Sequence, residues 1–162
     1  MEYSAIPLFK SHYSLGKSIL TLAKAGSSEA DEPSSILDIA KKLKLENLYL
    51  VDDSISGFLE AYKSCEDAKI NLRFGLRLTI CDDIDNKTAD SRDKEHKVIV
   101  FIKNTEGYKD LIKISTVAST NGFYYYPRID CKTLKELWNE NNLCIGIPFY
   151  DSYVFKNNLT YS

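Results

Sequence analysis

The chain has 162 residues, of which 44% are hydrophobic and 27% charged, and its formal net charge is −2. These values are ordinary for a globular protein, and we expect a single domain over residues 1–162. The small net charge gives no overall attraction to nucleic acid or anionic membranes, and no apolar stretch approaches the roughly 20 residues that span a bilayer. Four scattered cysteines without a C-x-x-C pair are typical of a reducing compartment. We therefore expect a cytoplasmic protein without a structural zinc or a membrane partner.

The first half of the chain predicts two strands, two helices and one polar loop. Residues 5–9 (AIPLF) are a short strand candidate, and the small, acidic residues around 24–34 predict a mobile loop. Ser34 or Ser35 then caps a helix. Its predicted apolar face is Ile36, Ile39, Ala40 and Leu43. The apolar run NLYLV (47–51) predicts a strand covered on both sides, and it leads into Asp52 and Asp53. The next helix would bury Ile55, Phe58, Leu59 and Tyr62.

The second half continues this alternation. Strands are predicted at 71–80, 97–102 and 142–147, with a mobile polar loop at about 82–96. Asn104 or Thr105 caps a helix, and Asp130 caps another that begins at residue 131. The first of these helices would bury Tyr108, Leu111, Ile112, Ser115 and Ala118. Strands that alternate with helices predict an α/β fold with parallel strands, either an open sheet or a barrel.

Three segments in order resemble one family. Residues 103–130 (KNTEGYKDLIKISTVASTNGFYYYPRID) resemble a stretch of the PHP (polymerase and histidinol phosphatase) domain of the bacterial replicative DNA polymerase III α subunit. There the pattern is N-x-E-G-Y-x-x-L followed by G-F/Y-x-Y-K-P-R-I-D. Residues 11–15 (SHYSL) are similar to its H-S-x-Y-S-L, and residues 50–78 to its segment that begins L-T-D-H-G. The resemblance implies a distorted (β/α)7-type barrel with mostly parallel strands, of which this chain holds the first half to two thirds.

The resemblance also implies where a metal site would lie. Family members hold up to three zinc, manganese or iron ions at the carboxyl ends of the strands, through His, Asp, Glu and Cys ligands. By position, Asp52 keeps a family aspartate, whereas Asp53 stands in place of a His. Lys10, Arg77 and Lys97 stand where the family has His, Glu and His.

Cationic side chains at ligand positions repel a dication and can instead pair with carboxylates. We therefore expect a degenerate site with no cofactor, in which cations pair with Asp52 or Asp53. The alternative is a reduced one-metal site that uses Asp53 and His96.

A second candidate site lies in GFYYYPRI (122–129). Tyr124, Tyr126 and Arg128 could stack on unpaired bases, and Arg128 could instead pair with a carboxylate or bind an anion such as sulfate or phosphate. The alternative is a structural connection whose tyrosines pack on the fold. The sequence has no glycine-rich phosphate loop and no G-x-S-x-G motif, so a nucleophilic triad has no support.

Three functions follow for comparison. The favoured one is a non-catalytic PHP-like domain with a structural or partner-docking role in DNA replication. The resemblance implies the polymerase body or the proofreading exonuclease as its partner. The second is a metal-dependent phosphoesterase or 3′–5′ exonuclease, and the third is a module that binds single-stranded DNA or RNA. Missing barrel strands would leave exposed edges, so we also expect at least a homodimer.

Overall fold

The structure is a computed structural model, and it describes residues 6–26 and 34–160. The chain divides into two compact units, residues 1–76 and residues 77–162. The start of the strand predicted at 5–9 and most of the loop predicted at 24–34 lie outside the described residues. No helix in the described ranges is long and apolar enough to cross a membrane.

The first unit is built on parallel strands. It contains β1 (Leu8–Phe9), α1 (Ile36–Lys42), β2 (Asn47–Asp52), α2 (Phe58–Ala68) and the first part of β3 (Asn71–Cys81). Strand β2 pairs in parallel with β1 on one side and with β3 on the other. Parallel neighbours need a crossover connection, and α2 supplies it between β2 and β3. Leu48, Leu50 and Phe74 are fully buried in this unit.

The helix start predicted at Ser34 or Ser35 is confirmed at Ser35, and Ile36 and Ala40 of the predicted α1 face are buried, but other residues of the two helix faces differ from the prediction. The Ser35 hydroxyl accepts a hydrogen bond from the Leu37 amide. Leu37 is buried in α1, whereas Leu43 is 56% exposed. In α2 the buried residues are Ala61, Ser64 and Cys65.

The predicted α2 face was therefore wrong at Leu59 and Tyr62, which are 60% and 50% exposed. Small side chains on the buried face allow α2 to pack closely on the core. The Ser64 hydroxyl on this face donates a hydrogen bond to the Leu22 carbonyl at 3.1 Å. A polar residue can lie on the buried face when its hydroxyl is paired in this way.

The second unit contains both parallel and antiparallel strand pairs. It contains the rest of β3, a 3₁₀ helix (Asp90–Lys94), β4 (His96–Ile102), α3 (Thr105–Thr120), β5 (Arg128–Asp130), α4 (Cys131–Glu136), β6 (Leu143–Gly146) and α5 (Tyr153–Thr160). Strand β5 pairs in parallel with β3, whereas β6 runs antiparallel to β4. The described strands are thus mostly parallel and do not close on themselves. A (β/α)7 barrel stays a prediction.

Both helix starts predicted in this unit are confirmed. Asn104 Oδ1 accepts from the Gly107 amide at 2.8 Å, and Asp130 Oδ1 accepts from the Thr133 amide at 2.7 Å. The buried residues of α3 are Gly107, Leu111, Ile114 and Ala118. The predicted burial of Ile112 was wrong, since this residue is 37% exposed.

Candidate functional site

The first unit contains a polar cluster at the carboxyl end of β2, formed by Lys10, Ser11, Ser14, Asp52 and Asp53. We call it the Asp52–Asp53 cluster. Asp52 is the last residue of β2 and is fully buried. Its carboxylate accepts hydrogen bonds from the Ser11 amide at 2.8 Å and from the Ser11 hydroxyl at 2.5 Å. Two hydrogen-bond donors of Ser11 therefore fix the position of the Asp52 carboxylate.

Asp53 is held in a similar way. Its Oδ2 lies 3.1 Å from the Lys10 ammonium and 2.9 Å from the Ser14 hydroxyl. The Asp53 side chain is almost buried, and that of Lys10 is about three-quarters covered. In such surroundings an ion pair is less screened by water than on the surface. The cluster therefore contains the pairing of Lys10 with an aspartate that the sequence predicts.

The described residues do not fit a metal centre with several ions. Within residues 6–26 and 34–160, no group of three or more His, Cys, Asp and Glu side chains is placed to hold one. A cation would have to displace the Lys10 ammonium from Asp53. The alternative ligands, Asp53 and His96, belong to different units, and His96 begins β4. Burial lowers the pKa of His96 below its ordinary value, and the charge of Lys156 lowers it further.

The second unit has an ion pair in its interior. Arg128 is fully buried, and its guanidinium lies 3.2 Å from a carboxylate oxygen of Glu95. It also donates to the carbonyls of Gly122 at 3.1 Å and Asn86 at 3.2 Å. The ring of Tyr124 lies 5.0 Å from the guanidinium carbon. Arg128 therefore does not face solvent, where an anion or an unpaired base would meet it.

Beside this ion pair lies a cavity of about 190 Å³. It is lined by polar and charged side chains, chiefly Arg92, Glu95, Lys97, Tyr126, Asp151 and Lys156. Lys97 donates to the Thr79 hydroxyl, and Lys156 donates to the Glu95 carbonyl. Burial and a hydrogen bond to Glu95 raise the pKa of Tyr126, so its phenol stays protonated at neutral pH.

The structure divides the sequence-predicted residues between these two places. Lys10, Asp52 and Asp53 come together in the first unit. Lys97 lines the cavity of the second unit, and Arg77 lies 3.8 Å from Asp151, which lines the same cavity.

Five residues of the cavity have no counterpart among the predicted site residues: Thr79, Arg92, Glu95, Asp151 and Lys156. Arg92 and Glu95 come from the segment predicted as a mobile loop, which contains the 3₁₀ helix and the buried side chain of Glu95. Asp151 and Lys156 follow the last predicted strand. No short motif surrounds any of them, so only the tertiary fold shows that they meet.

Comparison with known proteins matches this chain to one domain family and to one kind of polymerase subunit. The sequence model of the PHP domain matches residues 27–151. The DNA polymerase III subunit alpha of Chlamydia pneumoniae is 32% identical over 125 residues, which cover 74% of this chain and 10% of that protein. The same subunit of Helicobacter pylori strain 26695 is 33% identical over 97 residues, which cover 59% and 8% of the two chains. In Borreliella burgdorferi the identity is 31% over 114 residues, covering 68% and 10%. The chain thus spans about a tenth of the length of these curated relatives.

Proposed function

Since the chain belongs to the PHP domain family, we propose that it is a non-catalytic PHP-like domain with a structural or partner-docking role in DNA replication. The link to replication is supported by its relatives, which are DNA polymerase III alpha subunits. Because the chain matches only a small part of those proteins, their polymerase activity is not carried over. We also propose a cytoplasmic location, which is supported by four cysteines that are all free thiols.

The observation that carries the non-catalytic part is the Lys10–Asp53 ion pair at 3.1 Å. An ammonium at this distance neutralises the carboxylate that a metal would use and adds a positive charge that opposes a dication. Hydrolysis of a phosphate ester by this family's chemistry needs bound metals to activate water. Asp53 is thus paired with Lys10, and Asp52 is bound by the Ser11 amide and hydroxyl, so both carboxylates of the cluster already have partners within the chain, which supports a non-catalytic role.

The docking part is supported by an exposed apolar surface in the second unit. Its members are Ile145, Ile147, Phe149, Tyr150, Tyr153 and Val154, and we call them the C-terminal apolar patch. Each is about half exposed or more, and Phe149 reaches 88%. The rings of Phe149 and Tyr150 both pack on Phe155, at 5.7 and 5.0 Å. Large apolar side chains that stay exposed within one short segment are typical of a protein interface. We propose the polymerase body or the proofreading exonuclease as the partner.

The non-catalytic role is tested by metal analysis and a nuclease assay on the purified chain. We expect zinc, manganese and iron well below one ion per chain, and no cleavage of a 3′-labelled oligonucleotide when these metals are added. Stoichiometric metal together with cleavage that Asp53→Ala abolishes would overturn the proposal. Asp67→Ala is the matched control, because Asp67 is an exposed acid of α2 paired with Lys24.

The docking role is tested by direct binding. The chain is titrated against a purified replicative polymerase alpha subunit that lacks its own PHP domain, and against the proofreading exonuclease. We expect binding to one of them that Phe149→Ser weakens and Leu15→Ser leaves unchanged, since Leu15 is exposed in the first unit. Failure to bind either protein would contradict this role.

A further inference from the structure

We propose that the outer edge of β6 pairs with β6 of a second copy of this chain, as two antiparallel strands related by a two-fold axis. The proposal concerns the second unit alone and does not depend on the role in replication. It rests on the place of β6 in its sheet, on the direction of its backbone groups and on the composition of the strand.

Strand β6 has a paired neighbour on one side only. It pairs with β4, and it ends the strand order of the sheet within residues 6–26 and 34–160. Leu143 is buried, whereas the next two residues of the strand, Cys144 and Ile145, are exposed. The edge of a sheet presents amide and carbonyl groups that can pair with a strand of another chain.

The pairing with β4 shows which residues present these groups. In an antiparallel pair, residues that exchange hydrogen bonds alternate with residues whose amide and carbonyl groups point away from the partner strand. The Lys103 amide donates to the Asn142 carbonyl at 2.8 Å, and this pair continues the register of β4 with β6 by one position. Cys144, two positions further along, is therefore bonded to β4 as well. The backbone groups of Leu143 and Ile145 point outward.

Ile145 is the residue best placed to bond a second strand. The outward amide of Leu143 already donates to the Asn139 carbonyl at 2.9 Å. The outward carbonyl of Ile145 is contacted by the adjacent Cys144 thiol at 3.8 Å, and a thiol is a weak donor. A backbone amide from a second strand is a stronger donor for this carbonyl.

A second copy of β6 fits this edge because the pairing is symmetric. When Ile145 lies opposite Ile145 of the second copy, each donates its amide to the carbonyl of the other. Self-pairing places a strand against its own residues, so a charged strand would repel its copy. Residues 143–149 (LCIGIPF) carry no charge. They also lack the edge lysine by which many sheets prevent such pairing.

The pairing ends at two copies. In the dimer, β6 has β4 on one side and the second β6 on the other, so no edge of β6 is left for a third copy. Pro148 has no amide hydrogen and therefore limits the pairing just beyond the strand. The same surface is used by both copies, which is the arrangement of a closed two-fold dimer. The side chain of Ile145, 49% exposed, then packs against its own copy.

The first test is disulfide trapping of the full chain at tens of micromolar protein. Ile145→Cys is made together with Cys131→Ser and Cys144→Ser, which leaves Cys65 and Cys81 buried. Residues that exchange hydrogen bonds across an antiparallel pair have Cα atoms about 5.5 Å apart, within the roughly 4.4–6.8 Å that a disulfide spans. We expect mild oxidation to convert most of this variant into a linked dimer on a non-reducing gel.

Native Cys144 is the matched control, in a chain that carries Cys131→Ser alone. Cys144 is exposed in the same strand, but the proposed register places it opposite Gly146 of the second copy. The two Cys144 residues are then diagonal neighbours about 7–8 Å apart, beyond the reach of a disulfide. We expect little linked dimer. Equal trapping at both positions, or no trapping at residue 145, would overturn the proposal.

A second test needs no variant and so remains decisive if Ile145→Cys fails to fold. Amide hydrogen exchange of the wild type is followed by NMR at low and high protein concentration. The Ile145 amide should exchange more slowly at high concentration, and the Cys144 amide, already bonded to β4, should change little. Exchange of Ile145 that does not depend on concentration would overturn the proposal. Neither test contains a polymerase or an exonuclease, so a failure here is distinct from a failure of the docking role.

Discussion

Ser11 binds Asp52 through two groups at once, its amide and its hydroxyl. The buried carboxylate depends on both, because a hydrogen bond to a charged group contributes about 1.5–3 kcal/mol. We expect Ser11→Ala to lower the free energy of unfolding by about that amount, measured by urea denaturation. Ser56→Ala is the control, since Ser56 is exposed and its hydroxyl bonds to the exposed Ser54. Equal stability of the Ser11→Ala variant and the wild type would show that Asp52 is not held as described.

His96 gives the stability of the protein a predictable dependence on pH. Its folded-state pKa is lowered mainly by burial, so the unfolded chain binds the proton more readily. The stabilisation from neutral His96 is therefore complete above about pH 6.5, the ordinary histidine pKa. It is lost as the pH falls through the lower folded-state pKa. We expect the free energy of unfolding to drop more between pH 7.5 and pH 5.5 in the wild type than in His96→Gln. Parallel curves would contradict this.

Site residues could be predicted from the sequence only where a motif or a neighbour in the chain marks them. Asp52 and Asp53 follow an apolar strand, and this placement is visible in the sequence. The buried pairing of Arg128 with Glu95 is not, because the two residues are 33 positions apart and Glu95 stands among polar residues. From the sequence the partner of Arg128 stayed open between an unpaired base, an anion and a carboxylate, since arginine is rarely buried without a paired acid and no such acid stands near it in the chain. Only the tertiary fold supplies that acid.

Helix starts and helix faces differ in how well they could be predicted. The caps at Ser35, Asn104 and Asp130 were predicted because a cap is a bond between residues two or three positions apart. The faces were predicted from large apolar side chains, and this rule failed at Leu59 and Ile112. The neighbouring elements decide which face of a helix is buried. That face need not be the one that carries the largest apolar side chains.

Helix α3 offers a matched comparison. Ile114 is fully buried, whereas Ile112, two residues earlier, is exposed over more than a third of its surface. We expect Ile114→Ala to lower the free energy of unfolding by about 2–5 kcal/mol, because it leaves a cavity. Ile112→Ala should cost less than about 1 kcal/mol. The measurement is urea denaturation of both variants, and similar losses would show that the helix packs with a different face.

The N-x-E-G-Y stretch that supports the family resemblance also has a physical basis in α3. A Cβ added at Gly107 would lie 2.3 Å from the carbonyl oxygen of Asn142, just before β6. Backbone cannot easily give way at that distance, so only glycine allows the helix to approach. Asn104 bonds to the amide of this same Gly107. The motif thus combines a helix cap with a close contact between two segments of the second unit.

At the scale of the whole molecule, the C-terminal apolar patch predicts self-association when no other partner is present. Exposed aromatic and branched side chains lose contact with water when two copies meet. We expect sedimentation velocity to show a monomer–dimer equilibrium at tens of micromolar protein, shifted toward monomer by Phe149→Ser. Ile19→Ser is the control, because Ile19 is exposed in the first unit. A wild-type monomer at every concentration would contradict the prediction.

The four free cysteines divide between surface and interior in a way that can report on folding. Cys131 and Cys144 are exposed, whereas Cys65 is buried in the first unit and Cys81 in the second. Burial raises the pKa of the Cys65 thiol to about 11 and also raises that of Cys81, so neither forms the reactive thiolate in the folded protein. Alkylation of Cys65 or Cys81 must therefore wait for local or global opening. With Cys131 and Cys144 replaced by serine, the alkylation rate of Cys65 reports on opening of the first unit and that of Cys81 on opening of the second. The two rates would coincide only if the chain unfolds in one step.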